Sequence, residues 1–322
     1  MTEIVFGRGA LARLGEFASA KPVLVTTPSR RFAERVQAEI IDLAVDHCPA
    51  PVIAAALERL PADADGVIAL GGGSAIGLGK ALADARGLPL IAVPTSFAGS
   101  ALTEGYGVTT DGVKTVRRSE RARARVAIYD PALFDGFGGP AASASAFNAI
   151  AHAADALFDD LSSALIDKAV TAIGKLAASL PIEAGQPKDS AVEGALLAAQ
   201  VLTATGTGLH HRMCHMIGGR FGTPHGATHA VMLPYTTAVR DGTEGSVRLG
   251  KALATDRPAT ALYALTLRCG IAGGLRALGV PEEAIHSLAE PLVAAGFDEA
   301  RAHALLLRAW RGEPPIDPET QQ

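Results

Sequence analysis

The chain is poor in most of the features that would move it out of the soluble enzymes. Its three cysteines, Cys48, Cys214 and Cys269, are scattered without CxxC spacing. A sparse, odd set argues for reduced thiols and against a disulfide framework. No apolar run reaches the roughly 18 residues of a membrane span. Positive charge is not in excess: 29 Lys and Arg against 33 Asp and Glu leave a net charge of −4. Nucleic acid would call for a basic balance and a basic patch extended by aromatic side chains, and aromatics are only 5% of the chain. The opening MTEIVFGRGALARLG carries an acid at Glu3 and no apolar core, so it does not read as a secretory signal. Internal repeats and low-complexity segments are absent. The expectation is a cytoplasmic protein with neither a nucleic-acid nor a membrane partner.

What is present fits two domains. The 322 residues are 48% hydrophobic and 19% charged, an ordinary globular balance. In the first half, short apolar runs alternate with amphipathic stretches. Strands are expected at residues 3–6, 23–26 (VLVT), 67–70 (VIAL), 89–93 (PLIAV) and 126–129, with helices at 10–18, 30–43 and 74–85. Apolar runs without polar alternation are covered on both faces, as in a parallel sheet flanked by helices. From about Asp135 the strand pattern stops and helical periodicity takes over, at 147–159, 163–180, 191–205, 209–218, 244–254, 259–278, 281–295 and 298–311. The reading is an α/β dinucleotide-binding domain over residues 1–135 and an all-helical catalytic and substrate domain over 136–322.

In VIALGGGSAIGLGKALA a strand runs into Gly71, Gly72, Gly73 and Ser74, and a helix follows at once. Three residues without side chains let the backbone approach a pyrophosphate, and the helix N-terminus supplies N–H donors and a positive dipole. It is not the GxGxxG fingerprint, and Lys80 is not placed as in a P-loop. A second strand-to-loop junction, IAVPTSFAGSALTEGYGVTT, brings Thr95, Ser96 and Ser100 to the same sheet edge, where ligands of open α/β sheets bind. Two such loops point to a dinucleotide. The acid that would bind the ribose 2′-hydroxyl of NAD is missing after VLVT. Thr26 and Thr27 stand there, followed by Arg30 and Arg31, so both NADH and NADPH remain open. A basic run includes Arg117, Arg118, Arg121, Arg123 and Arg125. It is either a solvated face or a source of guanidiniums for a substrate carboxylate.

The densest chemistry lies in GLHHRMCHMIGGRFGTPHGATH, residues 208–229, which hold five of the nine histidines: His210, His211, His215, His225 and His229. His211 and His215 are four apart and share a helix face, and His225 and His229 repeat the spacing. Upstream, FNAIAHAADALF places Asn148 and His152 four apart as well. Imidazoles gathered this way suit metal binding, proton transfer or anion binding. One or two of them could be packed core histidines; five beside a second matched pair read as the active site.

These segments, together with GVKTVRRSERARARVAIYDPAL and the string HHxxCHxxGGxFxxPHxxTHxxxLPY, resemble the iron-containing alcohol dehydrogenase superfamily, and within it the maleylacetate reductase branch. The resemblance implies a Rossmann-like N-terminal domain, an all-α C-terminal domain as in the dehydroquinate synthase-like fold, a homodimer, and a role in aromatic-compound degradation. In the metal-dependent members an Asp and three His hold a divalent ion. The corresponding positions here are Asn148, His152, His211 and His225. An amide removes the one anionic ligand, so the expectation is no metal, as in the maleylacetate reductases. Gly77 replaces the usual Asp of the glycine motif, again as in that branch, and Ala101 stands where a Glu is usual.

The implied reaction is NAD(P)H-dependent reduction of a small anionic unsaturated oxo-dicarboxylate, maleylacetate to 3-oxoadipate. His211 and His215 would stabilise enolate charge and donate the proton. His152, His225 and Asn148 would complete the pocket, and Arg118, Arg121 or Arg125 would hold a carboxylate. Hydride transfer requires nothing of Cys214. The competing readings are a metal-using alcohol or aldehyde oxidoreductase, and a same-fold lyase, synthase or non-catalytic binder.

Overall fold

The computed structural model describes residues 1–110, 113–186 and 188–315. The chain divides into two compact units, one of residues 1–137 with 185–192 and one of 138–184 with 193–322. The first unit carries β1 (Glu3–Phe6), β2 (Pro22–Val25), β3 (Glu39–Ile41), α1 (Ala50–Arg59), β4 (Gly66–Gly71), α2 (Gly73–Arg86), β5 (Leu90–Pro94), β6 (Gly105–Thr110), β7 (Val113–Arg118) and β8 (Val126–Tyr129). Six strands form one parallel sheet in the order β1-β8-β5-β4-β2-β3. The expected apolar runs are its centre: Val67, Ile68, Ala69, Leu70 and Ala92 are all buried, as unalternating strands of a covered parallel sheet must be.

Helix α2 lies directly on that sheet. At Gly79 a Cβ would stand 2.5 Å from the Ala69 Cβ, so the helix–strand approach needs a residue with no side chain. The next residue, the fully buried Lys80, donates from Nζ to the carbonyls of Thr103 (2.6 Å) and Gly105 (2.9 Å), which pins the loop after β5 to α2. Beyond that loop, β6 and β7 form an antiparallel hairpin.

Two expectations for this half are corrected. Residues 30–43 are not a helix: Arg30 and Phe32 adopt left-handed backbone, one 3-10 turn follows at Ala33–Arg35, and β3 then pairs with β2. The apolar pair Ile40–Ile41 is drawn to the sheet, where Ile41 is fully buried, and tertiary pairing overrides the local helical pattern. Residues 10–16 form 3-10 rather than α-helix. Helix α1 and the β6–β7 hairpin are additions that the periodicity did not disclose.

The second unit is helical: α3 (Gly139–Ala156), α4 (Ser163–Ala178), most of α5 (Asp189–Thr205), α6 (Leu209–Phe221), α7 (His225–Ala238), α8 (Glu244–Leu253), α9 (Pro258–Arg268), α10 (Gly274–Ala277), α11 (Ile285–Ala294) and α12 (Glu299–Arg311). α3 is its axis, buried along nearly its whole length by small residues and packed against α4, α6 and α7. Ala at half of its positions lets three helices approach it. The helix expected over 259–278 is broken, because Gly270, Gly273 and Gly274 take positive φ between α9 and α10. Among the described residues no helix is long and apolar enough to cross a membrane.

Candidate active site

In the first unit the glycine turn leaves its backbone open. β4 ends at Gly71, whose φ of +148° favours glycine and where a Cβ would sit 2.8 Å from the Ala75 Cβ. At Gly72 a Cβ would come 3.4 Å from Ser96 Oγ, and at Gly73 and Gly77 it would meet nothing within 4 Å, so that side is open. The Thr95 amide donates to the Gly71 carbonyl at 3.0 Å, laying the β5 loop against the turn. The first intrahelical bond of α2 runs from Ile76 to Gly72 (3.1 Å), leaving the amides of Gly73, Ser74 and Ala75 as the orphan donors of a helix start. These open donors could hold a pyrophosphate. Ser74 Oγ already donates to Asp46 Oδ1 at 2.5 Å, and Ser100 Oγ is buried without a partner among the described residues.

Cofactor selection is less simple than the VLVT segment suggested. Thr26 is buried, its amide bonded to Ile41 and its carbonyl to Ala44. Arg30 is paired with Asp42, which also holds Arg59. Asp42 and Asp46 follow β3, so acids do reach this sheet edge, from a strand that read as helix. These residues do not discriminate between NADH and NADPH.

The three arginines expected to hold a substrate carboxylate lie elsewhere. The Arg125 amide donates to the Leu90 carbonyl at the start of β5, which puts Arg125 at the N-terminal edge of the parallel strands. The glycine turn is at the C-terminal edge. Arg118 closes β7 and Arg121 follows Ser119, whose Oγ donates to Asp84 (2.5 Å) near the far end of α2. All three are exposed. They are a solvated face of the first unit, and the structure removes them from the phosphate-binding edge.

The histidines of the second unit do come together. His210, His211 and His215 are on α6, His225 and His229 on α7, and Asn148 and His152 on α3. His211 stacks on His152 with ring centroids 4.2 Å apart and packs against His229 at 4.5 Å, and His225 meets His229 at 4.4 Å. His152, Asn148, His211, His210 and His229 are buried, whereas His215 and His225 are exposed in the chain. Four polar atoms of this cluster are buried without a partner among the described residues: Asn148 Oδ1, His152 Nδ1, His211 Nε2 and His229 Nε2. Burial, reinforced by neighbouring imidazoles, drives His152, His210 and His229 well below the ordinary histidine range.

Behind these rings runs a polar network that the spacing arguments missed. Burial would raise Asp155, but His211, His210 and Arg240 outweigh it and hold the carboxylate far below its usual range. Asp155 Oδ2 accepts from His211 Nδ1 at 3.0 Å, and Arg240 Nη1 donates to Oδ1 at 3.2 Å. His210 lies between Thr236 Oγ1 (2.8 Å from Nδ1) and His229 Nδ1 (2.9 Å from Nε2). A weak signal existed for Asp155, an acid one turn beyond His152 on the same helix. Cys214 is fully buried, and burial followed by Asp155 pushes its thiol well up, which makes it a poor nucleophile.

The four positions that the resemblance matches to metal ligands, Asn148, His152, His211 and His225, are not arranged as a ready ion site. A ligated metal lies close to the plane of each imidazole, and the His152 and His211 rings are stacked 14° from parallel with centroids 4.2 Å apart, so their planes do not meet near the rings. Asn148 supplies no charge, and the Asp155 carboxylate is committed to four donors. Two other groups do bring ligand atoms within 4.8 Å of one another: His210, Cys214 and His229, and His215, His225 and His229. In the first, the His210–His229 hydrogen bond already occupies the facing nitrogens.

A glycine-rich strand-to-helix turn on a parallel sheet and a helical unit rich in buried imidazoles are the parts of a dinucleotide-using enzyme. Residues 1–131 match the iron-containing alcohol dehydrogenase family, and residues 142–302 match the C-terminal family of the Fe-containing alcohol dehydrogenases. The maleylacetate reductase of Sphingobium indicum is 36% identical over 97% of this chain and 96% of its own. Among solved structures, the maleylacetate reductase of Rhizobium sp. superposes with a TM-score of 0.85 at 33% identity, covering 98% of this chain and 97% of that one. An iron-containing alcohol dehydrogenase from Corynebacterium glutamicum gives 0.88 at 28% identity, covering 100% and 97%. The chain belongs to the iron-containing alcohol dehydrogenase superfamily, in its maleylacetate reductase branch. It is an NAD(P)H-dependent reductase of that kind.

Proposed function

We propose that the enzyme reduces maleylacetate to 3-oxoadipate with NADH or NADPH and without a metal ion. The observation that carries this reading is the set of buried atoms without a partner among the described residues, His211 Nε2, His152 Nδ1, His229 Nε2 and Asn148 Oδ1, beside an Asp155 carboxylate already committed to four donors. NAD(P)H, bound at Gly71–Ser74 with Thr95 and Ser96 beside it, supplies a hydride. Its addition to the carbon–carbon double bond moves an electron pair onto the conjugated carbonyl, and the resulting enolate takes one proton at the adjacent carbon. Net, the substrate gains a hydride and a proton. His211, as the imidazolium whose Nδ1 proton Asp155 holds, donates Nε2–H to the enolate oxygen, and a pocket imidazole supplies the proton to carbon, with His215 and His225 the exposed members that exchange it with solvent. Asn148 has amide protons to offer a substrate carboxylate.

The same reading takes the protein as a cytoplasmic homodimer; size-exclusion chromatography with light scattering tests the oligomer. The function is tested by following NADH and NADPH oxidation with maleylacetate, a saturated oxo-dicarboxylate and a primary aldehyde, each before and after chelator treatment. Turnover of maleylacetate that survives chelation supports the proposal. Turnover confined to the aldehyde and abolished by chelator overturns it in favour of a metal-using alcohol dehydrogenase.

A further inference from the structure

We propose that Asp155 is a positioning residue that keeps a proton on His211 Nδ1 and so makes His211 Nε2 the atom presented to the pocket. Its catalytic consequence rests on the role given to His211 above, whereas the proton placement does not.

Asp155 is 3% exposed, on α3, one helical turn after His152. Its two oxygens receive four donors. Oδ2 accepts the His211 amide (3.2 Å) and His211 Nδ1 (3.0 Å); Oδ1 accepts the His210 amide (3.2 Å) and Arg240 Nη1 (3.2 Å). An ionised carboxylate is an acceptor only, so the bond to Nδ1 exists only if Nδ1 carries its proton. That leaves Nε2, buried and without a partner among the described residues, as the variable nitrogen.

The geometry is held from three sides. The carboxylate sits on the first turn of α6, an anion at a helix N-terminus, where the backbone amides fix its plane. Gly208 lets it come so close: a Cβ there would lie 2.6 Å from Asp155 Cγ. Arg240 is locked by stacking on Phe158 (3.8 Å from its guanidinium carbon to the ring centroid) and by donating Nε to the Thr236 carbonyl at 2.9 Å. It therefore holds Oδ1 and leaves Oδ2 to His211. A helix cap alone would need only the two amides. The fourth donor, an imidazole whose other nitrogen faces the pocket, is what makes Asp155 more than a cap.

An amide at this position must turn one NH2 toward existing donors. The charged Arg240 favours oxygen at the Oδ1 site, so the NH2 of Asp155→Asn falls at the Oδ2 site, donates to His211 Nδ1 and moves the neutral ring's proton to Nε2. The test uses the full-length enzyme with 15N-labelled histidine. In the wild type, His211 should show a protonated Nδ1. In Asp155→Asn that signal should vanish and an Nε2–H should replace it. With maleylacetate, kcat should drop about 100-fold, as for a wrongly held catalytic imidazole, with NAD(P)H affinity unchanged. Asp155→Glu should restore the Nδ1 proton and part of the rate. A bare Nδ1 on His211 in the wild-type protein overturns the proposal, and that spectrum decides even if Asp155→Asn fails to fold. So does an Asp155→Asn protein that keeps its Nδ1 proton. Absence of maleylacetate turnover in the wild type would sink the proposed substrate alone, since the spectra are read without it.

Discussion

Three buried imidazoles should make this fold sensitive to mild acid. His152, His210 and His229 are held well below the ordinary histidine range, by burial first and by neighbouring imidazoles second. In the unfolded chain they titrate near 6.5. A base whose pKa is lowered by folding is neutral in both states at high pH and costs nothing there. As pH falls through about 6.5, the unfolded chain takes up protons that the folded chain refuses, and stability is lost. Between about pH 6.5 and 5.5 each group removes about 1 kcal/mol, so the three together remove about 3 kcal/mol. Other groups leave this window nearly clear. Lys80, which burial pushes down to about 7 against the pull of Glu104, loses its share as pH falls from 10.5 to that value. Asp155, held low by His211, His210 and Arg240 against its burial, contributes stability above about 3.8 that is lost only in stronger acid. The measurement is urea unfolding at three pH values from about 7.5 to 5.5, at fixed ionic strength, on the wild type and on His229→Gln. The variant should lose a third of the slope. Equal wild-type stability across that range, or an undiminished slope in the variant, would refute the argument.

What could be read from the sequence was whatever a single element encodes. The VIAL run followed by Gly71–Ser74 located the strand, the turn and α2, because hydrophobicity, missing side chains and helix start coincide within a few residues. The four-residue spacings placed Asn148 with His152, and His211 with His215, on common faces, and those faces do meet in the second unit. Contacts between distant segments were not encoded locally. Asp155 reaches residues 55 and 56 positions away, and His229 earns its burial from α6 and α3 rather than from its neighbours on α7. The arginine run failed for a related reason. A strand beginning at Val126 could lead its arginines toward either edge of the sheet, and only the parallel pairing with β5 fixes Arg125 at the edge away from the glycine turn. The helix expected over 30–43 failed because β3 is three residues long, too short for any periodicity to announce.

The remaining expectations concern cofactor, metal and catalysis. Gly72 has φ −75°, open to any residue, so Gly72→Ala should fold and bind NAD(P)H nearly as the wild type does. Gly72→Asp adds a carboxylate roughly 5 Å from a phosphate charge; at an effective dielectric of about 40 this costs about 2 kcal/mol, or ~30-fold in Kd. Unchanged affinity in a fluorescence titration of Gly72→Asp would place the cofactor elsewhere. On metal, the purified enzyme should hold little Fe or Zn by elemental analysis, because the stacked His152 and His211 share no coordination point and Asn148 brings no charge. Stoichiometric metal, lost together with activity under chelator, would contradict this. The sharpest test concerns His211. Its Nδ1 is tied to Asp155 and its Nε2 is unpartnered in the pocket, so its removal should strike the chemical step. His211→Asn should lower kcat by about 100-fold or more. A packing role predicts the reverse pattern, lower thermal stability with near-normal turnover in the enzyme that remains folded. The two are separable because Asn148, His152 and His229 stay in place around the vacated ring. Thermal stability, NAD(P)H affinity and kcat must therefore be measured on one preparation. A folded, cofactor-binding His211→Asn enzyme that turns over at the wild-type rate would take His211 out of the mechanism and leave Asp155 as no more than the cap of α6.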